Sequence, residues 1–477
     1  MDKIQEFFKE FFIVLYKIGL IIYKIILLLA KKIYRWLRTF DYSKLRNLTK
    51  RAFVIKYKYI ILAILVLFPL LITVVASKSP IGFGGNKTIN NVITNEMSDL
   101  METKRLDRNI ENFMRRWEIV GASLAIMKND KLIYCKGYGY ADKDREEACD
   151  VKHIFRLASV SKLITATAIM KLSEEGKLSL NDKVFGEEGI LNDSRFLDIK
   201  DKRVKSITVE NLLRHDAGFS TRSGDPMFDT KLIATKLDKK APFTMDDVVE
   251  FASKSSLRFP PGKGYNYSNL GYVVLSKVIE KVTGEEYESY VKKEIFAPIG
   301  CFDIHIANNN SKDKFDNEVR YYEPSNEVQF EDEDGNLIPK SDGGNDVRLL
   351  GGAGGWVGSP AEILKFAASI DGLPGVEDII SPKSVRYMTV PPKGKKPIGW
   401  IRTNGDEWWR TGSMSGTSAM IKRQSNGYTW MLVTNTSSWK GARFPSQINA
   451  SMKKGLDRVN EWPKHDIFEI ADSIMGR

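Results

Sequence analysis

Apolar residues concentrate in two blocks at the start of the chain and then give way to shorter runs with two distinct periods. The first block, Phe11 to Ala30 ("FFIVLYKIGLIIYKIILLLA"), is interrupted only by Lys17 and Lys24. With Lys31 these lysines recur every seven residues and share one helical face. The second block, Tyr59 to Ala76 ("YIILAILVLFPLLITVVA"), holds 18 residues without a charge. That is about the length needed to cross the hydrocarbon core of a bilayer, so 59–76 is predicted to be a transmembrane helix. The first block fits two states: an amphipathic helix on the anionic inner leaflet, or a second span whose lysines pack inward or snorkel. From Lys31 to Lys58 the chain carries ten Lys or Arg and one acid, Asp41. Such an excess beside a span stays on the cytoplasmic side, which places everything after Ala76 outside the cytoplasm of a plasma or inner membrane. A cleaved signal peptide is disfavoured, because a long basic stretch separates the two blocks and no small-residue cleavage site follows an early, short apolar core.

Beyond the second block, "SKSPIGFGGNKTINN" (77–91) is rich in Gly, Ser and Asn and reads as a linker. Its "GFGGNKT" lacks the Gly-Lys-Thr order of a phosphate loop and follows no strand. Residues 100–117 have helical periodicity. "GASLAIMKNDKLIYCKGYGYAD" then reads as two strands joined at Asn129-Asp130, a hairpin signal. A helix is predicted to begin near Ser159, run through Leu163, Ile164, Ile169, Met170 and Leu172, and stop at Gly176. The middle of the chain, to about 360, is loop-rich with helices such as 270–283, which ends at Gly284. After about 397 short β-rich runs return ("IGWIRT", "EWWRTG", "GTSAMIKRQ", "YTWMLVTNT"), with Asn426-Gly427 as a turn, and a final helix fits 444–458. Early strands, a helical middle and late strands predict one sheet assembled from both ends of the chain, with a helical insertion between.

The net charge of +12 invites a nucleic-acid reading, which its location removes. Residues 1–58 hold 14 Lys or Arg against 4 Asp or Glu, leaving 58 against 56 in the other 419 residues. The body has no basic excess with which to neutralise phosphates. Cys135, Cys149 and Cys301 form no C-x-x-C pair, and an odd number cannot complete a disulfide framework; they read as buried small hydrophobes. The four histidines (His153, His215, His305, His465) have no metal-ligand spacing.

The candidate chemistry sits in "RLASVSKLITATAI", 156–169. Ser159 and Lys162 stand three apart at a helix start, side by side on one face, with backbone N–H groups and the positive end of the helix dipole nearby. A lysine so placed can accept the serine proton when deprotonated, or lower the pKa of its neighbours when charged. Taken alone, the pattern is most economically an N-cap serine beside a solvated lysine.

Its surroundings decide between them. "YADKDREEACDVKHIFRLASVSKLITATAIMKLSEEGKLSLNDKV" resembles the nucleophile region of the serine β-lactamase and penicillin-binding-protein superfamily, in its class C β-lactamase, D-peptidase and esterase branch (peptidase S12-like). That resemblance implies two further elements in order. Tyr267-Ser268-Asn269 matches the Tyr-x-Asn; Tyr267 would be the general base, its phenolate held by two cations because an ordinary phenol pKa of about 10 leaves too little base at neutral pH. Asn269 would bind a substrate amide or hold the lysine. Arg410-Thr411-Gly412, followed by Gly412-Ser413-Met414-Ser415-Gly416, matches the third element, with Arg410 where the family usually has Lys or His. Arg410 keeps the positive charge and offers a two-pronged grip on a carboxylate, but puts the usual hydrogen bond to the tyrosine in question. Thr411 would contact substrate, and the N–H groups of Ser159 and Ser413 would form the oxyanion hole. "LLRHDAGF" (212–219) matches the family's L-L-x-H-T-S-G loop at His215 and Gly218 and departs at Asp216 and Ala217; His215 reads as structural. "GGAGGWVGSPAEILKFAASI" (351–370) matches a further family segment with structural glycines. The resemblance runs from about residue 102 to 460.

The resulting expectation is an α/β (α+β) β-lactamase/transpeptidase-like fold, an antiparallel sheet flanked by helices plus a mainly helical lobe. The expected divisions are a basic, membrane-associated and cytoplasmic stretch (1–58), a transmembrane helix (59–76), a linker (77–98) and a hydrolase domain (99–477). The implied activity is acyl-enzyme hydrolysis of an ester, amide or β-lactam carbonyl in a small molecule or peptide, which can carry a carboxylate, with no metal or organic cofactor and no nucleic-acid partner. The competing expectation is a sensor or scaffold of the same fold that does not turn over.

Overall fold

The computed structural model describes residues 88–324, 330–331 and 337–476. Helix α1, Lys104–Trp117, places Leu106, Ile110, Phe113 and Met114 on one buried face. Strands β1, Gly121–Lys128, and β2, Lys131–Asp142, follow. Asn129 (φ 48°) and Asp130 (φ 64°) both adopt the left-handed conformation that a two-residue hairpin turn demands. Strand β3 is Glu147–Ala148, and the late part of the chain contributes β4 (Arg402–Asn404), β5 (Glu407–Met414), β6 (Thr417–Arg423) and β7 (Tyr428–Thr434). The sheet order is β3-β2-β1-β7-β6-β5-β4. β1 and β7 meet antiparallel at its centre, with Leu124 opposite Leu432, so the two ends of the folded body close one sheet as the hydrophobic pattern predicts.

Alternation along β1 serves two cores at once. Ala122, Leu124 and Ile126 face α1 and the last-but-one helix, α6 (Pro445–Leu456), together with Trp430 and Leu432 of β7. Ala125 and Met127 face the opposite core with α5 (Pro360–Ala368). The final helix, α7, Ile467–Met475, packs against β2.

The insertion between β3 and β4 forms the helical lobe. Its central helix α2, Ser161–Glu174, is buried at every position from Ser161 to Met170, which suits a helix with apolar or small residues on all sides. It contacts α3, Asn269–Thr283, and α4, Val347–Gly354. Gly284 (φ 73°) terminates α3, as anticipated. The start of α2 differs from the simple cap that its sequence allows. Ala158 (φ 46°) enters a 3-10 turn over Ala158–Val160, and no side chain caps the α-helix proper. Ser159 is therefore freed from capping.

The stretch read as linker also differs where it is described. Ile89 and Ile93, four apart, are buried in the larger core. Asn90 donates to Asp303 (2.9 Å) and accepts from Ser359 (2.7 Å), while Asn95 exchanges bonds with the backbone of Gly137. Residues 88–98 thus belong to the folded body, anchored by the two buried isoleucines and by the hydrogen bonds of Asn90 and Asn95. Among the described residues no helix is long and apolar enough to cross a membrane; the segments 11–30 and 59–76 lie outside them. Cys135, Cys149 and Cys301 are buried thiols, and burial pushes Cys149 up to about 12.

Leu124 is fully buried on the central strand, so Leu124→Ala should lower stability by about 2–5 kcal/mol. Urea unfolding should show a lower midpoint at unchanged slope.

Candidate functional site

Three chain segments that are remote in sequence converge on Ser159. The 3-10 turn supplies Ser159, and the first turn of α2 supplies Lys162, whose Nζ donates to Ser159 Oγ at 3.3 Å. The loop before α3 supplies Tyr267, whose hydroxyl lies 2.7 Å from Ser159 Oγ. β5 supplies Arg410, whose Nε donates to the Ser159 carbonyl (2.8 Å) and whose Nη2 donates to Tyr267 Oη (2.7 Å). The bond to the tyrosine that the arginine put in question is therefore made.

β5 can lie this close to the turn because position 412 has no side chain. A Cβ on Gly412 would sit 2.4 Å from the Leu157 carbonyl oxygen and 3.2 Å from Ser159 N. Thr411 and Ser413 flank it and line the same cleft as Ser159, Tyr267 and Asn269. That cleft encloses about 420 Å³. Of the eight residues singled out in the sequence, Ser159, Tyr267, Asn269, Arg410, Thr411 and Ser413 line it, while Lys162 bonds to Ser159 and Gly412 packs on the nucleophile turn behind it.

Lys162 is fully buried, and its ammonium has three acceptors: Ser159 Oγ, Asn269 Oδ1 (2.6 Å) and the Ala353 carbonyl. Three donors meeting three acceptors satisfy the group without water. Of the two roles open to Asn269, this one, holding the lysine, is the contact the structure makes. Its Nδ2 is in turn held by Asp225 Oδ2 at 2.7 Å, while Asp225 Oδ1 accepts from Met227 N. Neither Asp225 nor the Ala353 carbonyl was identifiable beforehand. Asp225 sits in "RSGDPMFD", a loop with no periodicity, and a backbone acceptor carries no residue-type signal.

The electrostatics bring the ionisations of Lys162 and Tyr267 toward each other. Burial pulls Lys162 down to about 8, with the Tyr267 oxygen opposing the shift and Arg410 adding to it. Burial alone would raise the Tyr267 phenol, but Arg410 and then Lys162 outweigh it and leave its pKa below the ordinary value. His215 behaves as the structural residue it was read to be. Burial, then Arg410 and Lys162, push its pKa well below the usual range, so the imidazole is neutral. Its Nδ1 accepts from Ser268 N (3.2 Å) and its ring lies 4.4 Å from that of Tyr267, fixing the tyrosine from behind.

This fold and this arrangement of residues define a β-lactamase/transpeptidase-like protein. Residues 106–448 match the family model described as Beta-lactamase, and the chain belongs to that family. It is similar to Protein flp of Staphylococcus aureus (strain MRSA252), 29% identical over 213 residues that cover 45% of this chain and 40% of that protein. It is also similar to the putative penicillin-binding protein PbpX of Bacillus subtilis (strain 168), 29% identical over 201 residues covering 42% of this chain and 45% of that one. The match thus spans less than half the length of either relative. Among solved structures, D-amino acid amidase from Ochrobactrum anthropi SV3 superposes with a TM-score of 0.58 at 22% identity, covering 75% of this chain and 98% of that one. The octameric penicillin-binding protein homologue from Pyrococcus abyssi gives 0.56 at 24% identity, covering 76% and 80%. EstCE1, a hydrolase with promiscuous acyltransferase activity, gives 0.56 at 20% identity, covering 74% and 99%. These likenesses establish the fold.

Arg410 is the nearer cause of the depressed Tyr267 pKa, and the phenolate exists above that pKa. Arg410→Gln should therefore move Tyr267 ionisation to higher pH, read as the near-UV titration difference between each protein and its Tyr267→Phe derivative. An unchanged titration would show that Arg410 is not the counter-ion. Asp225→Ala should release the Asn269 amide and reduce kcat about tenfold through a misplaced lysine, whereas Asp225→Asn, which still offers an acceptor, should retain most of it. Equal activity in both variants and wild type would remove Asp225 from the site.

Proposed function

We propose that the protein is a serine hydrolase that works through an acyl-enzyme on Ser159, held at the outer face of a membrane by its N-terminal segments. The observation that carries the reading is the 2.7 Å approach of Tyr267 Oη to Ser159 Oγ, with Lys162 and Arg410 both bonded into the same pair. A nucleophile, a base and the cations that lower the pKa of the base are then within one hydrogen bond of one another.

In this mechanism the Tyr267 phenolate takes the Ser159 proton as Oγ bonds to the substrate carbonyl carbon. The oxygen of the tetrahedral intermediate is stabilised by the backbone N–H groups of Ser159 and Ser413. As the carbonyl re-forms, the C–O or C–N bond to the leaving group breaks, and that group carries away the proton from Tyr267. Water then attacks the acyl-enzyme, losing its proton to Tyr267, and Ser159 regains one as the carboxylic acid departs. Lys162 keeps its charge through both steps, and Asn269 holds it in place. Gly412 allows β5 to close on the nucleophile, and Thr411 faces the bound substrate. No step requires a metal or an organic cofactor. Ester and amide cleavage both fit, since the fold neighbours include an amidase and a hydrolase with acyltransferase activity.

Both a fluorescent penicillin and a fluorophosphonate serve as active-site labels. Labelling of the wild type by at least one of them, abolished in folded Ser159→Ala, is expected. Tyr267→Phe should lower kcat/KM by about 10²–10⁴ on any ester that is turned over. If neither probe labels Ser159 in folded protein, the hydrolase reading fails. The ionisations also set the pH profile. Activity should rise with pH as Tyr267 loses its proton, below the range of an ordinary phenol, and should carry a second ionisation near 8 from Lys162; a profile with no ionisation near 8 would remove the charged lysine from the mechanism.

A further inference from the structure

We propose that the outer helical layer of the sheet, α1 with α6 and the loop that carries Trp439, docks on an anionic lipid surface and brings the Ser159 cleft beside it. The proposal rests on the membrane-held part of the proposed function and adds to it a face of the folded body that meets the lipid.

α1 and α6 pack together over one face of the sheet, joined by the stacked rings of Phe113 and Phe444 (centroids 5.7 Å apart) and by Asn109 Nδ2, which donates to the Ser451 carbonyl (2.9 Å). Over Lys104–Trp117 the exposed charged side chains are five Lys or Arg and one acid, Glu111; over residues 441–456 they are Arg443, Lys453 and Lys454, with no acid. Beyond the helix ends, Glu102, Glu118 and Asp457 are set against Lys440 and Arg458. The chain past residue 58 holds 58 basic and 56 acidic side chains, so this layer concentrates a charge that the body as a whole lacks. Among the described residues none of the eight exposed cations pairs with a carboxylate. Cations on the helical lobe are placed differently: Arg195 bonds to Glu250 (2.7 Å), Lys281 to Asp193 (3.0 Å) and Lys293 to Glu285 (3.1 Å). Cations gathered on one face without counter-ions repel one another and gain from an anionic surface.

Apolar groups on the same layer favour a lipid surface over a soluble polyanion. The two most exposed large apolar side chains of the described residues, Met101 and Trp439, are both 74% exposed. Met101 stands just before α1, and Trp439 lies against Trp117 at the end of α1 (ring centroids 6.3 Å apart). Phe444 braces Trp117 edge-on at 5.2 Å. Lys440 Nζ is 4.6 Å from the Trp439 ring centre, and the Arg116 guanidinium is 5.7 Å from that of Trp117. An indole held out in water among cations suits a bilayer interface, where the ring enters the headgroup layer and the cations meet phosphates. Eleven residues, 77–87, lie between the proposed span and the described body, a reach of at most about 40 Å. A body so tethered stays near the lipid, and its complementary face is the one to meet it. Ala442, three residues after Trp439, lines the cleft with Ser159 and Arg410, so docking brings one wall of the cleft to the lipid surface.

The test uses the full chain reconstituted into vesicles of brominated phosphatidylcholine, with or without phosphatidylglycerol. The dock is read as quenching of the fluorescence due to Trp439, wild type minus Trp439→Phe. The N-terminal attachment is read separately, as retention on vesicles floated in about 1 M NaCl, where the Debye length is about 3 Å. At low salt Trp439 should be quenched at least about twofold on the anionic vesicles and little on the zwitterionic ones, and combining Arg116→Gln, Lys440→Gln and Arg443→Gln should abolish the difference. Quenching that is absent on anionic vesicles, or equal on both kinds, overturns the dock, and retention in 1 M NaCl would then leave the attachment standing. Quenching at low salt with loss of the chain at high salt sinks the attachment and leaves the dock. Binding to heparin without quenching on anionic vesicles would assign the face to a soluble polyanion and also overturn the proposal.

Discussion

Two cations, Lys162 and Arg410, enclose a single phenol, and the surrounding structure is arranged to make that tolerable. Two buried positive charges near each other are unfavourable unless each is hydrogen-bonded and something negative lies between them. Here Lys162 is satisfied by Asn269, Ala353 and Ser159, Arg410 by the Ser159 carbonyl and Tyr267, and the phenol between them is shifted toward its anion. The third acceptor of the lysine depends on a glycine one residue away. A Cβ on Gly352 would stand 2.4 Å from Ser276 Oγ and 2.5 Å from Thr165 Oγ1, so only glycine lets α4 approach α2 and α3 closely enough to present the Ala353 carbonyl. The lysine is held by packing between helices as much as by polar bonds.

This arrangement also explains why the fold takes both ends of the chain. The nucleophile turn sits at the junction of lobe and sheet, the phenol hangs from the start of a lobe helix, and the arginine lies on a strand contributed 251 residues after Ser159. Pairing β1 with β7 in the centre of the sheet brings the late strands back beside the early ones, which places β5 against the turn at Leu157–Ser159. A rigid sheet edge fixes Arg410 to within the reach of a hydrogen bond, where a loop would leave it loose.

Much of this was legible in the sequence because it rests on patterns. Period-two runs at each end of the body, Asn129-Asp130 and Asn426-Gly427 as turns, and Gly284 as a helix stop are local signals, and the sheet with its helical insertion follows from their order. The eight site residues were legible for a different reason: their residue types recur in three motifs of a family that the chain resembles. What was not legible is what depends on three-dimensional company. Ala158 takes φ 46° without being glycine, so the turn that frees Ser159 has no residue-type marker. Asp225 reaches Asn269 across 44 residues, and Ala353 acts through its backbone. The packing of 88–98 onto the body was hidden for the opposite reason, since its Asn-rich composition reads as linker while its two isoleucines are buried.

Charge distribution ties the site to the whole. Residues beyond 58 hold 58 basic and 56 acidic side chains, so the body creates little net field to steer ions toward the cleft. Selection by charge would then have to be exerted locally, at short range, by whatever cation faces the substrate. The cations here face the phenol instead: replacing a flexible lysine or a titratable histidine with an arginine at position 410 supplies a group that stays charged and has a planar fork wide enough to hold the Ser159 carbonyl and Tyr267 Oη together. Burial and two hydrogen bonds fix the Nε and Nη2 edge of Arg410 on the Ser159 carbonyl and the phenol, so the nucleophile turn and the phenol themselves set the position of the guanidinium.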